Sequence, residues 1–161
     1  MNTTYKQINK SERGFTIIEV VLVLAIAGLI FLMVFLALPA LQRGQRDAQR
    51  RDDASRVVSQ LTSFKTNNKG SLPTHAQFIS SSFLDGYLKA SDGEFNDPQS
   101  GATYAVVADA VAGNAALAVG QIQYKRNASC NGEDATGSGG VRQAAIRIKL
   151  EGSGHFCQNA S

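Results

Sequence analysis

An uninterrupted apolar run dominates the first third of the chain. Within residues 20–38 no side chain is charged, and Leu, Ile, Val and Phe fall on every side of a helix drawn over the segment. Counted from Phe15 that helix holds 24 residues, about 36 Å at roughly 1.5 Å per residue, against a hydrocarbon core about 30 Å thick. Apolar surface all round excludes a helix lying on a membrane surface and leaves either a span or a core helix. A chain of 161 residues has too little material to surround such a helix, so a membrane span is expected. The run is also longer than the roughly 7 to 15 apolar residues of a secretory signal, and it leads straight into a polar helical segment.

Beyond Pro39 the pattern becomes one-sided. Leu41, Ala48, Ala54, Val57, Val58, Leu61 and Phe64 recur at helical spacings, with Arg46, Arg50, Asp53 and Lys65 expected on other faces. The helix is expected to continue to about Asn67, where Asn67-Asn68-Lys69-Gly70 followed by Pro73 reads as a stop signal. Thr74-His75-Ala76-Gln77 has the form of a capping box and predicts a short helix over 74–84, with Phe78, Phe83 and Leu84 facing inward. Three strands are predicted at 102–108, 117–125 and 143–150. In the last of them Ile146, Ile148 and Leu150 alternate with Arg147 and Lys149, as in a half-buried strand. Gly and Ser loops, notably Thr136-Gly137-Ser138-Gly139-Gly140, separate the strands. The expected class is α+β, a long N-terminal helix carrying a small antiparallel sheet, with no internal repeat.

Composition adds little until it is located. Charged residues make up 18% and hydrophobic residues 43%, but the apolar ones are concentrated early and the remainder is rich in Gly, Ser, Asn and Ala. Of the net charge of +3, Lys6, Lys10 and Arg13 against Glu12 supply +2. The basic balance is therefore no argument for nucleic acid. Lys6, Lys10 and Arg13 on one side of the run face Arg43, Arg46, Arg50, Arg51 and Arg56 on the other, so the positive-inside rule does not settle orientation.

One carboxylate, Glu19, stands near the front edge of the run, just after Arg13-Gly14-Phe15-Thr16-Ile17-Ile18. An acid at a helix centre in hydrocarbon costs about 2.5 to 3.5 kcal/mol by insertion scales, so such groups tend to be paired and functional. The short basic leader, Gly14, Phe15, Thr16, Glu19 and the apolar helix, all in register, resemble the class III leader and N-terminus of type IV prepilins and their pseudopilin relatives. The firm similarity covers about residues 6 to 60. The resemblance implies a pilin fold with three parts: a leader over 1–14, a long helix over 15–69 (15–38 in the membrane or filament core, 39–69 amphipathic), and a sheet head with a C-terminal disulfide loop over 70–161. It implies that a prepilin peptidase on the cytoplasmic side cuts after Gly14 and methylates the new N-terminal Phe15. It implies further that Glu19 of one subunit neutralises the cationic amine of Phe15 on the next. Many members of the family place a kinking proline earlier than Pro39, where this chain has Leu36, while Gly28 matches a position at which the helix loosens in filaments. Softening is therefore expected between Gly28 and Pro39.

The other candidate groups read as structural. Cys130 and Cys157, if bridged, close a loop worth about 3 to 4 kcal/mol by the chain-entropy account and place the head in an oxidising compartment. Two free thiols remain the alternative, since His155 with Cys157 offers too few ligands for a zinc site. The pair also resembles the C-terminal disulfide loop of pilins. Asn127-Ala128-Ser129 is a glycosylation sequon that arises often by chance. Asp92, Glu94 and Asp97 lack the ligand spacing of an EF-hand and read as a solvated loop. The mixed charges Arg50-Arg51-Asp52-Asp53 read as a solvated helix face, with Asp47, Asp52 and Asp53 available for exposed pairs worth under about 1 kcal/mol each. His75 and His155 have no evident nucleophile partner, so neither an enzyme nor a cofactor is expected.

The resemblance implies a structural subunit of a type IV pilus, serving adhesion, twitching motility or DNA uptake. Its partners would be further copies of itself, minor pilins, the prepilin peptidase, the membrane, and a host surface or DNA. The precursor would sit in the cytoplasmic membrane by a single pass with its N-terminus inside, and later reach the extracellular pilus. The alternatives are a pseudopilin of a type II secretion system, a DNA-binding minor pilin of competence, and a single-pass protein that is never cut.

Overall fold

The computed structural model describes residues 14–107, 116–152 and 154–161. The chain forms two units, Met1–Ala40 and Leu41–Ser161. One 51-residue helix, α1 (Ile17–Asn67), contributes to both. In the first unit α1 has an apolar stretch long enough to cross a membrane, and no part of that stretch is buried. Phe15, at 88% of its full exposure, shows how little of this surface the single chain covers. Its aliphatic residues lose little rotamer freedom or have none of the polar atoms that compete with helical hydrogen bonds. The helix therefore persists through Gly28 and Pro39 without a break.

In the second unit, α1 is followed by two short helices, α2 (His75–Phe78) and α3 (Ser81–Leu84), and six strands. These are β1 (Ala105–Val107), β2 (Gln121–Arg126), β3 (Ser129–Asn131), β4 (Asp134–Thr136), β5 (Ala144–Lys149) and β6 (His155–Ala160). The principal sheet has the order β1-β2-β5-β6, and β3-β4 form a separate hairpin. Three strands, β2, β5 and β6, pair antiparallel, with Ile122 opposite Ile148 and Arg147 opposite Cys157. The edge strand β1 runs parallel to β2, a departure from the purely antiparallel expectation. The β3-β4 hairpin and β6 carried no strand expectation, because short runs such as Ser129-Cys130-Asn131 lack apolar alternation.

The end of α1 follows its stop signal. Lys69 and Gly70 both take positive φ (54° and 81°), and the Gly70 amide donates to the Lys65 carbonyl at 2.8 Å. This six-to-one bond is a Schellman closure, and glycine enters the left-handed region without the Cβ penalty. The Thr74 capping box is present, with Gln77 N donating to Thr74 Oγ1 and Thr74 N to Gln77 Oε1. The single helix expected over 74–84 is instead two, because the chain turns at Ile79 and Ser80 takes an extended conformation (ψ 152°) as the second N-cap. That turn lets Phe78 and Phe83 both reach the core.

Ala54, Val57 and Leu61 of α1 pack on Ile122, Tyr124, Ile146 and Ile148 of the sheet, with Phe78, Phe83, Leu88 and Phe95 closing the sides. The Phe78 ring stacks on Tyr124 at 4.4 Å and on Phe83 at 4.8 Å, and the Tyr124 hydroxyl donates to the Pro73 carbonyl at 2.7 Å. Leu41 and Ala48, expected on the packed face, are exposed, and the covered part of the helix begins at Arg50.

Strand β5 is buried from Ala144 to Ile148 on both faces, against the half-buried expectation. Its second face is covered by the β3-β4 hairpin, where Ala128, Ala135 and Ala145 form a small cluster beside Cys130 and Cys157. Arg147 belongs to this layer, its Nε donating to the Glu133 carbonyl at 2.9 Å and its Nη2 lying 3.3 Å from Asp134. Gly139 passes so close to Ala128 that a Cβ would stand 2.4 Å from its backbone carbonyl, a contact only glycine permits. The two cysteines are joined, Cys130 to Cys157, across 27 residues of sequence. Replacing both cysteines by serine should lower the stability of the head by about 3 to 4 kcal/mol. Urea unfolding of the detergent-solubilised chain, with and without reductant, measures it, and a loss under about 1 kcal/mol would show that packing alone holds the hairpin.

Candidate functional site

Two groups of polar residues stand out, one at the start of α1 and one where α1 enters the head. At the start, Thr16 precedes the first helical residue and Glu19 lies three positions on. Glu19 N donates to Thr16 Oγ1 at 3.4 Å, Thr16 N donates to Glu19 Oε2 at 2.9 Å, and the Thr16 hydroxyl donates to the same oxygen at 2.8 Å. The two residues thus form a reciprocal capping box that satisfies amides α1 would otherwise leave open. The Thr-x-x-Glu spacing of a capping box is legible in the chain itself. Glu19 Oε1 has no hydrogen-bond partner among the described residues, so the carboxylate keeps acceptor capacity. Gly14 and Phe15 are exposed immediately before this cap, and a Cβ on Gly14 would meet nothing within 4 Å. The rest of the expected leader, residues 1–13, lies outside the described residues.

The second group corrects the reading of the helix charges as a solvated face at Arg50 and Asp53, which are buried, whereas Arg51 and Asp52 are exposed. Arg50 is fully buried, its Nε donating to Asp97 Oδ1 at 2.7 Å and its Nη1 to Glu151 Oε1 at 2.8 Å and Asp47 Oδ1 at 3.0 Å. Arg46 binds both oxygens of Glu151, at 2.6 and 2.7 Å. Asp47 accepts from the backbone amides of Glu151 and Gly152, and Asp97 accepts from those of Gln99 and Ser100. One turn along, Asp53 accepts from the Tyr104 hydroxyl at 2.8 Å, and Arg56 pairs with Glu94 and donates to the Leu88 carbonyl. Arg50, Asp53, Ala54, Val57 and Leu61 lie at helical spacings on one face, so the charges share the face that packs. Their long side chains reach acids from two distant loops, which no local periodicity reveals.

Asp97 therefore belongs to this network and Glu94 to Arg56, while Asp92 is exposed. Among the described residues no group of three or more acids, histidines or cysteines is arranged to hold a metal. Asn127 of the sequon is exposed at a positive φ of 51°, and His155 lies 4.0 Å from Glu133.

The electrostatics follow from these contacts. Hydrogen bonds from Arg46, opposed by burial and reinforced by Arg50, lower the Glu151 carboxyl to about 2 from its ordinary 4.5. Burial pushes the Asp97 carboxyl up, but the bond from Arg50 and the amides of Ser100 and Gln99 outweigh it, and the net shift is down. Asp53 moves the other way, raised by burial against the bond from Tyr104. The Tyr104 hydroxyl is raised by burial and by Asp53.

Glu151 and Asp97 release their protons more readily in the folded head than in the unfolded chain. Their contribution is complete above about pH 4.5 and is lost as pH falls towards 2, with Asp53 partly offsetting it. The melting temperature of the detergent-solubilised chain should fall across that window, and Glu151→Gln should flatten the fall. Arg50→Met leaves the buried Asp97 without its cationic partner, while Glu151 keeps Arg46, and should cost about 3 to 5 kcal/mol in urea unfolding. Adding Asp97→Asn should return part of the loss, and strict additivity of the two changes would show that the pair is not coupled.

Residues 9–35 match the prokaryotic N-terminal methylation motif. No curated protein matches the chain, and no solved structure matches it.

Proposed function

We propose that this type IV pilin-like or pseudopilin chain is a structural subunit of a type IV pilus, held first in the membrane and then in the filament by the apolar half of α1. Three observations support the reading: the N-terminal methylation motif over residues 9–35, an apolar stretch of α1 with no buried part, and a small sheet head. The exposed helix carries most weight. Its apolar surface is stable only in lipid or against like helices, since burial from water is worth about 25 cal/mol per Å².

In this reading a prepilin peptidase cuts after Gly14 and methylates Phe15, and the new amine becomes the partner of Glu19 on the neighbouring subunit. The capping box supports that arrangement. Glu19 Oε2 is committed to Thr16 and fixes the rotamer, while Oε1 remains to receive an amine. The packed filament, not the single chain, is where α1 would soften between Gly28 and Pro39, because Pro39 cannot donate the helical bond and glycine loses more backbone freedom in a helix than any other residue. Minor pilins would join the same filament, which would serve adhesion, twitching or DNA uptake at a host surface or on DNA. A pseudopilin of a secretion system shares the motif; the Cys130–Cys157 bridge and the engagement of Glu94 and Asp97 by arginines favour the pilin.

Intact-mass and N-terminal peptide spectra of the mature protein should show a chain beginning with N-methylated Phe15; a chain retaining Met1 would refute the processing. Glu19→Gln should abolish sheared surface filaments while leaving the membrane-bound precursor at wild-type level. Filaments as abundant as wild type would refute the pairing.

A further inference from the structure

We infer that Glu151 and Asp97 of the head mask arginines that would otherwise bind anionic phospholipid headgroups next to the apolar run. This rests on the reading of that run as a membrane span. Four arginines, Arg43, Arg46, Arg50 and Arg51, stand within 13 residues of Leu38, with Asp47 among them, while a fifth, Arg56, stands 18 residues beyond it. Basic clusters so placed beside a span bind anionic lipid. Arg46 stands eight residues beyond Leu38, about 12 Å along a helix. Helical side chains lean towards the N-terminus, which for these arginines is the direction of the apolar run, and a flexible guanidinium snorkels readily to headgroups.

In the folded head three of the five are turned away from that task. Arg46 is held bidentate by Glu151, Arg50 is enclosed by Asp97, Glu151 and Asp47, and Arg56 is paired with Glu94. Arg43 and Arg51 are exposed and make no ion pair among the described residues. Two of the masking acids come from far along the chain: Asp97 lies 47 residues from Arg50, and Glu151 lies 105 from Arg46. They therefore reach the arginines only once the head has folded. An unfolded head leaves the whole cluster free to hold lipid, and folding releases it, so that extraction of the subunit from the membrane is coupled to the folded state of its head.

Native mass spectrometry of the full chain in maltoside micelles, titrated with phosphatidylglycerol or phosphatidylcholine, tests this. The wild type should show only the preference for phosphatidylglycerol that its unpaired Arg43 and Arg51 supply. Glu151→Gln should raise its affinity for that lipid about fivefold for each arginine freed, equivalent to about 1 kcal/mol. Arg46→Gln added to Glu151→Gln should return the affinity towards the wild-type value, which a merely unfolded head would not do. Glu94→Gln frees only Arg56, 18 residues or about 27 Å of helix beyond Leu38, and should leave the affinity unchanged. Unchanged affinity in Glu151→Gln, a rise in Glu94→Gln as large as that in Glu151→Gln, or a wild type that already prefers phosphatidylglycerol as strongly as Glu151→Gln does, would overturn the masking. Sedimentation with neutral phosphatidylcholine vesicles separates the premise: a chain that fails to enter them overturns the span and the inference together, whereas insertion without the charge effect overturns the masking alone.

Discussion

A single helix has to satisfy two different surroundings. The first half of α1 is apolar on every side, and the same helix becomes one-sided in the head, where it meets the sheet through Ala54, Val57 and Leu61. Hydrogen bonding within a helix satisfies its backbone wherever it lies, so the backbone can continue from hydrocarbon into a folded domain without rearrangement. What changes along its length is only which faces require cover. The head covers one face of the second half, while the first half is left to lipid or to other helices.

The charged cluster around Arg50 fixes how the helix lies on the sheet. Apolar contacts tolerate sliding, because one aliphatic residue replaces another at modest cost. A buried guanidinium tolerates none, since displacement by one turn would leave Arg50, Asp97 and Glu151 without partners. Such networks are weak sources of net stability, because desolvation offsets their attraction. Here the network sets register and ties together the loop at Asp97, the turn after β5 and the helix. The aromatic group of Phe64, Phe78, Phe83 and Tyr87, with Tyr124, packs further along the helix and supplies cohesion rather than register.

At the other end, Glu19 caps Thr16, which satisfies open amides of the isolated helix and holds the acid in one orientation. In the proposed filament such preorganisation would reduce the ordering cost of a pair between the second oxygen and an amine, and the cap would not have to be broken for that pair to form.

The sequence by itself determined what depends on neighbours along the chain. The apolar run, the stop at Lys69-Gly70, the Thr74 capping box and the α+β class were legible because helix period, glycine conformation and capping are local properties. The Thr16–Glu19 cap is equally local, a Thr-x-x-Glu spacing at the start of the apolar run. Tertiary structure alone decided the rest. Arg50 and Asp53 read as solvent-facing because charge ordinarily lies outside, and only folding brings Asp97, Glu151 and Tyr104 near enough to bury them. Strand β5 read as half-buried because its alternation describes one face, whereas the hairpin that covers its other face is placed by a disulfide and by Arg147. The parallel edge strand β1 is of the same kind. Strand direction and long-range ion pairs are set by which distant segments meet, and residue spacing holds no record of that.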